Sequence, residues 1–135
     1  MRTCRPVSLA VATCLALSAS LFGANSGWAV ERMAFTPAAL AAAKSSGKPV
    51  LIDVSAPWCP TCKAQKPILS ELYADPAYKD LVVFDVDFDS QKPALKALRV
   101  TSQSTLIVYR GGREAGRSTG DTRKSSIKAL IDKAI

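Results

Sequence analysis

Three short runs in this chain are almost wholly apolar, and the stretches around them repeat their apolar residues every three or four positions. Val50-Leu51-Ile52-Asp53-Val54, Leu81 to Val86 and Ser104 to Tyr109 read as strands buried on both faces, which lack the alternation of half-exposed strands. Thr36 to Ser46 reads as a helix: Thr36 caps it, Pro37 suits its first position, Ala38 to Ala43 favours it and Gly47 closes it. Cys59 to Tyr73 is helical in pattern, with Ile68, Leu69 and Leu72 on one face and Lys63 and Lys66 outside. Pro67 lies inside it, where proline kinks a helix. Pro93 to Leu98 predicts a short helix. Gly111-Gly112 predicts a tight hairpin into a polar, basic edge strand, Arg113 to Thr119. Asp121 or Thr122 caps a last helix whose apolar stripe is Ile127, Leu130, Ile131 and Ala134. The expected order is α-β-α-β-α-β-β-α, an α/β domain with a central mixed four-stranded sheet flanked by helices. A crossover helix makes its first two strands parallel, and its last two form an antiparallel hairpin. No repeat, linker or low-complexity segment divides it.

The N-terminal segment has a different character. Arg2 and Arg5 precede an apolar run from Val7 to Phe22, and Gly27-Trp28-Ala29 supplies small residues at −3 and −1 of a cleavage site. That order is expected of a secretory signal peptide. A retained membrane anchor is the alternative, but the run is short beside the ~20 apolar residues of a spanning helix. The two arginines are not adjacent, which disfavours a twin-arginine signal. The expectation is a Sec-type signal over residues 1–29 and a domain over 30–135, periplasmic if the source is bacterial, monomeric, with no stable membrane span after processing. Loss of Arg2 and Arg5 would take the formal charge from +7 to +5. The remaining basic residues are dispersed and not interleaved with aromatics, which excludes a nucleic-acid partner.

The cysteines narrow the chemistry further. Cys4 and Cys14 fall in the leader, leaving Cys59 and Cys62 at C-x-x-C spacing in a chain without histidine. Cys–His catalysis and His-containing zinc sites are thereby excluded, and two cysteines supply half of a structural zinc site. No metal site and no cofactor are expected. One close pair in an exported chain reads as a redox-active disulfide. The alternative, an inert bridge, would close too small a loop to constrain the unfolded chain much.

The pair lies where a buried strand turns into a helix. Unpaired N–H groups and positive potential at a helix start stabilise a thiolate, so Cys59 is the expected nucleophile. Cys62, one turn on, is the expected resolving thiol. Pro60 fits the first helical position. Asp53 interrupts an apolar strand, and a carboxyl buried there should titrate high and exchange a proton with Cys62. Asp85, Asp87 and Asp89 alternate near the next strand's end. They lack the glycine turn and distal Glu of an EF-hand loop, so Asp87 and Asp89 are expected to be solvated.

Residues Val50 to Lys63, with the buried Asp53 and the W-C-x-x-C-K pattern, resemble the thioredoxin family's active-site strand and helix start. Thr105 to Arg113 resembles its later hairpin. Within the family the chain is most similar to periplasmic C-terminal domains of DsbD-type reductases and small secreted thioredoxins, which often carry an Asp near Asp85. The resemblance implies a thioredoxin-like fold and thiol–disulfide oxidoreductase activity on protein clients, fed by a membrane or soluble electron donor. It implies Cys59, Cys62 and Asp53 as catalytic residues, and Trp58, Pro60, Thr61, Gln103 and Ser104 as the client-binding rim.

Two positions depart from the family pattern. The dipeptide between the cysteines is Pro60-Thr61, and Ser104 stands where the family has a cis-proline. A cis bond before a non-proline costs ~2.5–4 kcal/mol, so the Gln103–Ser104 bond is expected to be trans. The Ser104 N–H or hydroxyl is placed to donate to the Cys59 thiolate. Loss of the proline is also expected to uncover the sulfurs and ease metal binding. A reductase or electron relay is the leading reading. The alternatives are a disulfide-forming oxidant and a metal or copper chaperone using the two cysteines as soft ligands, disfavoured by the lack of a nearby Met or His.

Overall fold

The computed structural model describes residues 29–135; the predicted signal segment, with Cys4 and Cys14, lies outside the described residues apart from Ala29. The elements are β1 (Glu31–Ala34), α1 (Pro37–Ser45), β2 (Val50–Ser55), α2 (Pro60–Tyr73), a single 3₁₀ turn (Pro76–Tyr78), β3 (Val82–Asp87), α3 (Lys92–Leu98), β4 (Thr105–Arg110), β5 (Arg113–Thr119) and α4 (Lys124–Ile131). The sheet runs β1-β3-β2-β4-β5. β2 is parallel to β3 and antiparallel to β4, and β4 and β5 form the hairpin.

The sheet therefore has five strands where four were expected. The extra one, β1, pairs parallel with β3 from Glu31↔Val82 to Ala34↔Asp85. Its sequence, Glu-Arg-Met-Ala, has no apolar alternation, and its side chains are exposed or half-exposed. It is held by the main-chain edge that β3 offers, extended by the Phe35 N–H to the Asp85 carbonyl at 3.0 Å.

Alternation along the central strands sorts the core into two layers. Val50, Ile52 and Val54 face one layer with Phe84, Ile107, Leu40 and Leu95. Leu51 faces the other, with Leu69 and Leu72 of α2 and Ile127, Leu130 and Ile131 of α4. Asp53 shares the parity of Leu51 and so belongs to the α2 side of β2.

Local chemistry accounts for most boundaries. The Thr36 hydroxyl accepts the Ala39 N–H at 3.1 Å. Gly111 and Gly112 have φ of +53° and +79°, as a two-residue type I′ hairpin requires. The last helix starts later than expected. Its N-cap is Arg123, without a side-chain cap, because the Asp121 carboxylate is spent in the preceding turn on the Arg123 N–H at 3.0 Å and the Ser126 hydroxyl.

At the end of α3, Arg99 has φ +54° and caps the helix in the left-handed conformation. Its side chain is exposed, so the strain is not offset by packing. Arg99→Gly should stabilise the protein by about 1 kcal/mol, read as a higher denaturant midpoint with an unchanged slope. A lower midpoint would show that the side chain contributes more than the strain costs.

Candidate active site

β2 ends at Ser55, and Ala56-Pro57-Trp58 turns the chain so that the Cys59 N–H reaches the Ala56 carbonyl at 3.2 Å. Cys59 is then the N-cap of α2, with Pro60 in the first turn, and its sulfur accepts the Cys62 N–H at 3.1 Å. The sulfur does the work an Ser or Asp oxygen usually does at this position, satisfying an amide the helix leaves unpaired. Both cysteines are free thiols, 1% and 3% exposed.

Ser104 completes the arrangement. The Gln103–Ser104 bond is trans, as are all peptides among the described residues, and Ser104 has φ +59°. That left-handed turn sets its hydroxyl 3.1 Å from the Cys59 sulfur and 3.2 Å from the Cys62 sulfur. The expectation that losing the proline uncovers the sulfurs is corrected: Ser104 is itself buried and lies over them. Burial alone would raise the Cys59 pKa. Hydrogen bonds from the Cys62 thiol, the Ser104 hydroxyl and the backbone N–H groups of Cys62 and Thr61 outweigh it and hold Cys59 below the ordinary thiol value. Cys62 is pushed up by burial and by its donation to Cys59, against the opposing pull of Ser104 and the Ala56 backbone.

Asp53 is 8% exposed. Burial first, and then the nearby Asp85 carboxylate, push its pKa up to about 6 against the pull of Arg32 and Lys66. It opens onto a cleft of about 650 Å³, shared with Arg32, Lys66, Tyr73 and Asp85. Arg32 of β1 pairs with Asp85 at 2.5 Å, and the buried Tyr73 hydroxyl has no hydrogen-bond partner among the described residues. No hydrogen bond joins Asp53 to Cys62 among the described residues.

The residues expected to form the client-binding rim are less closely tied. Trp58 is 56% exposed, and its indole N–H donates to Asp89 at 2.8 Å, so the Asp89 carboxylate is a partner of the rim as well as solvated. Asp87 takes the Ser90 hydroxyl at 2.6 Å and the N–H groups of Ser90 and Asp89. Those bonds, the Ser90 hydroxyl first, hold it below the usual carboxylate range. Pro60 is exposed, and Thr61 and Gln103 are half-buried. Among the described residues no group of three or more Cys, Asp or Glu is arranged to hold a metal ion. Sequence reasoning missed Gln65, which is fully buried beside Ser104. The available signal was a polar residue in the inward stripe Cys62, Gln65, Leu69, Leu72 of α2.

A dithiol capping a helix at the end of a central parallel strand defines the architecture of thiol–disulfide oxidoreductases. The thioredoxin family model matches residues 33–133, and the chain belongs to that family. It is 39% identical over 84 residues to a thioredoxin of Chlamydia muridarum, covering 62% of this chain and 80% of that one. It is 36% identical over 83 residues to a thioredoxin of Mycobacterium bovis, covering 62% and 71%. Among solved structures it is similar to Trxlp from Edwardsiella tarda EIB202, with 48% identity and a TM-score of 0.73 over 75% of this chain and 98% of that one. The reduced thioredoxin pre-protein of Schistosoma mansoni, at 22% identity and a TM-score of 0.64 over 79% and 99%, shares the fold. The protein is a disulfide oxidoreductase acting on protein thiols and disulfides.

The raised Asp53 pKa has a direct consequence for stability. Between the unfolded value of 3.8 and the folded value of about 6, the native state holds a proton that the unfolded chain has released, so stability falls as pH rises through that window. At pH 7 the ionised carboxyl costs at most ~3 kcal/mol. Asp53→Asn should therefore be more stable than the parent at pH 7 and lose the decline between pH 4 and 6. Parallel denaturation curves across that range check it, and an unchanged pH dependence would contradict it.

Proposed function

We propose that the protein is an exported reductase or electron relay in which Cys59 attacks and Cys62 resolves. The observation that carries the assignment is the Cys59 sulfur at the N-cap of α2, receiving the Cys62 N–H at 3.1 Å and lying within 3.1 Å of the Ser104 hydroxyl. The Cys59 thiolate attacks one sulfur of a client disulfide, forming a mixed disulfide and expelling the other client sulfur as a thiolate. Cys62 then loses its proton and attacks the Cys59 sulfur. The Cys59–Cys62 disulfide forms, the second client thiolate leaves, and the client has gained two electrons. Asp53, whose pKa burial raises to about 6, is the acceptor for the Cys62 proton. A separate membrane or soluble donor restores the dithiol. Trp58, Pro60, Thr61 and Gln103 form the rim that meets the client; Ser104, expected to share it, is instead buried beneath it against the two sulfurs.

Export rests on the signal pattern of residues 1–29, with cleavage after Ala29. The buried Val30 and the start of β1 at Glu31 support a domain beginning at that point. The reductase direction rests on the resemblance to periplasmic reductase domains. One observation favours the opposite direction: donors that stabilise the Cys59 thiolate stabilise the reduced form, which makes a couple more oxidising. The reduction potential separates the two, since a value near ~−270 mV marks a reductant and one near ~−120 mV an oxidant. A value at the oxidising end would overturn the proposed direction.

The assignment of roles predicts that Cys62→Ser accumulates mixed disulfides with clients, while Cys59→Ser traps almost none. Non-reducing electrophoresis of the two variants incubated with extracytoplasmic proteins reads this directly. Faster trapping by Cys59→Ser would reverse the roles.

A further inference from the structure

Gln65 is 1% exposed in a stripe of α2 that is otherwise apolar beyond Cys62. Its amide nitrogen donates to the Asp121 carbonyl at 2.8 Å and, at a longer 3.4 Å, to the Ser104 carbonyl. Its amide oxygen is buried without a hydrogen-bond partner among the described residues. The amide orientation follows from the surroundings, because only the NH₂ end can face two carbonyls. An apolar side chain here would fill the same space without burying an unsatisfied oxygen.

The two carbonyls belong to the two segments that meet at the open end of the β4–β5 hairpin, where Thr105 pairs with Thr119. Ser104 immediately precedes β4, and Asp121 follows β5. The Ser104 carbonyl also accepts the Gly120 N–H at 2.9 Å. Thus three chain segments converge on the peptide following a serine held at φ +59°, a conformation L-residues avoid unless their surroundings impose it. The same turn brings the Ser104 hydroxyl to both sulfurs.

We propose that Gln65 is a positioning residue for the dithiol: by tying α2 to the Ser104 and Asp121 carbonyls, it holds the Ser104 hydroxyl against Cys59 and Cys62. The proposal rests on the redox reading of the cysteines and adds a residue that, among the described residues, hydrogen-bonds to neither sulfur. Cys62 and Gln65 are three residues apart on one helix face, so the element that carries the resolving thiol also fixes the donor above it.

The test follows the alkylation rate of Cys59 against pH, mapped by peptide mass, together with the reduction potential against glutathione. Ser104→Ala removes the hydroxyl. It should raise the Cys59 pKa and lower the thiolate fraction about tenfold below neutral pH. Gln65→Met, close in volume and without the amide, should shift both readouts in the same direction. The double variant should be no more shifted than Ser104→Ala alone, because Gln65 acts through that hydroxyl. If Gln65→Met fails to fold, Gln65→Leu gives the same comparison. A Gln65 variant with the parent's Cys59 titration and potential, whatever its melting temperature, would overturn the proposal. So would a double variant whose shifts add, since Gln65 would then act by another route. A parent that exchanges no disulfide with glutathione would overturn the redox reading and the proposal together, whereas an active parent with an unaffected Gln65 variant overturns the proposal alone.

Discussion

The hydrogen bonds converging on the Cys59 sulfur are the interaction around which this end of the molecule is arranged. A thiol 1% exposed would ordinarily be inert, because burial favours its neutral form. Here the Cys62 N–H, the Ser104 hydroxyl and the Cys62 thiol aim at it. Each comes from a different structural decision. The helix must begin at Cys59 rather than a residue later, Cys62 must follow at one turn, and Ser104 must accept a left-handed backbone. The two thiols are driven apart in acidity by the same contact, since the proton Cys62 donates to Cys59 is one it becomes less ready to release.

The sheet supplies the rigid frame for these bonds. β2 is covered on both faces and ends beside the cysteines, and β4 begins at the residue after Ser104. Antiparallel pairing of these two strands, Val54↔Thr105 at its end, brings the helix start and the serine together. On the α2 side, Asp53 and Asp85 are register partners on β2 and β3. Arg32 offsets one of the two carboxylates from the neighbouring edge strand. β1 thus contributes a cation to the cleft beside Asp53 as well as an edge to the sheet.

Much of this was legible in the chain. The near-continuous apolar runs located β2, β3 and β4, the Gly111-Gly112 pair located the hairpin, and the position of Cys59 between strand and helix located the site. β1 was not legible because its pairing is a main-chain property of β3, and four residues of which three are exposed carry no periodicity to record it. The start of α4 was misplaced because the side chain of Asp121 can serve either the cap or the turn before it, and only the fold decides which. The burial of Ser104 and the reach of Gln65 across to two carbonyls are tertiary facts. From the sequence, Ser104 was only a missing proline, and Gln65 one polar residue in a helix.

The central claim is that the buried pair is electrostatically divided, with Cys59 the more acidic thiol. Following the Cβ carbon resonances of Cys59 and Cys62 by NMR in the reduced protein as pH is raised tests it most directly, because each thiol reports its own ionisation. Two separated steps are expected, Cys59 ionising below the ordinary thiol value and Cys62 above it. Simultaneous ionisation of both near the ordinary value, or Cys62 ionising first, would contradict it.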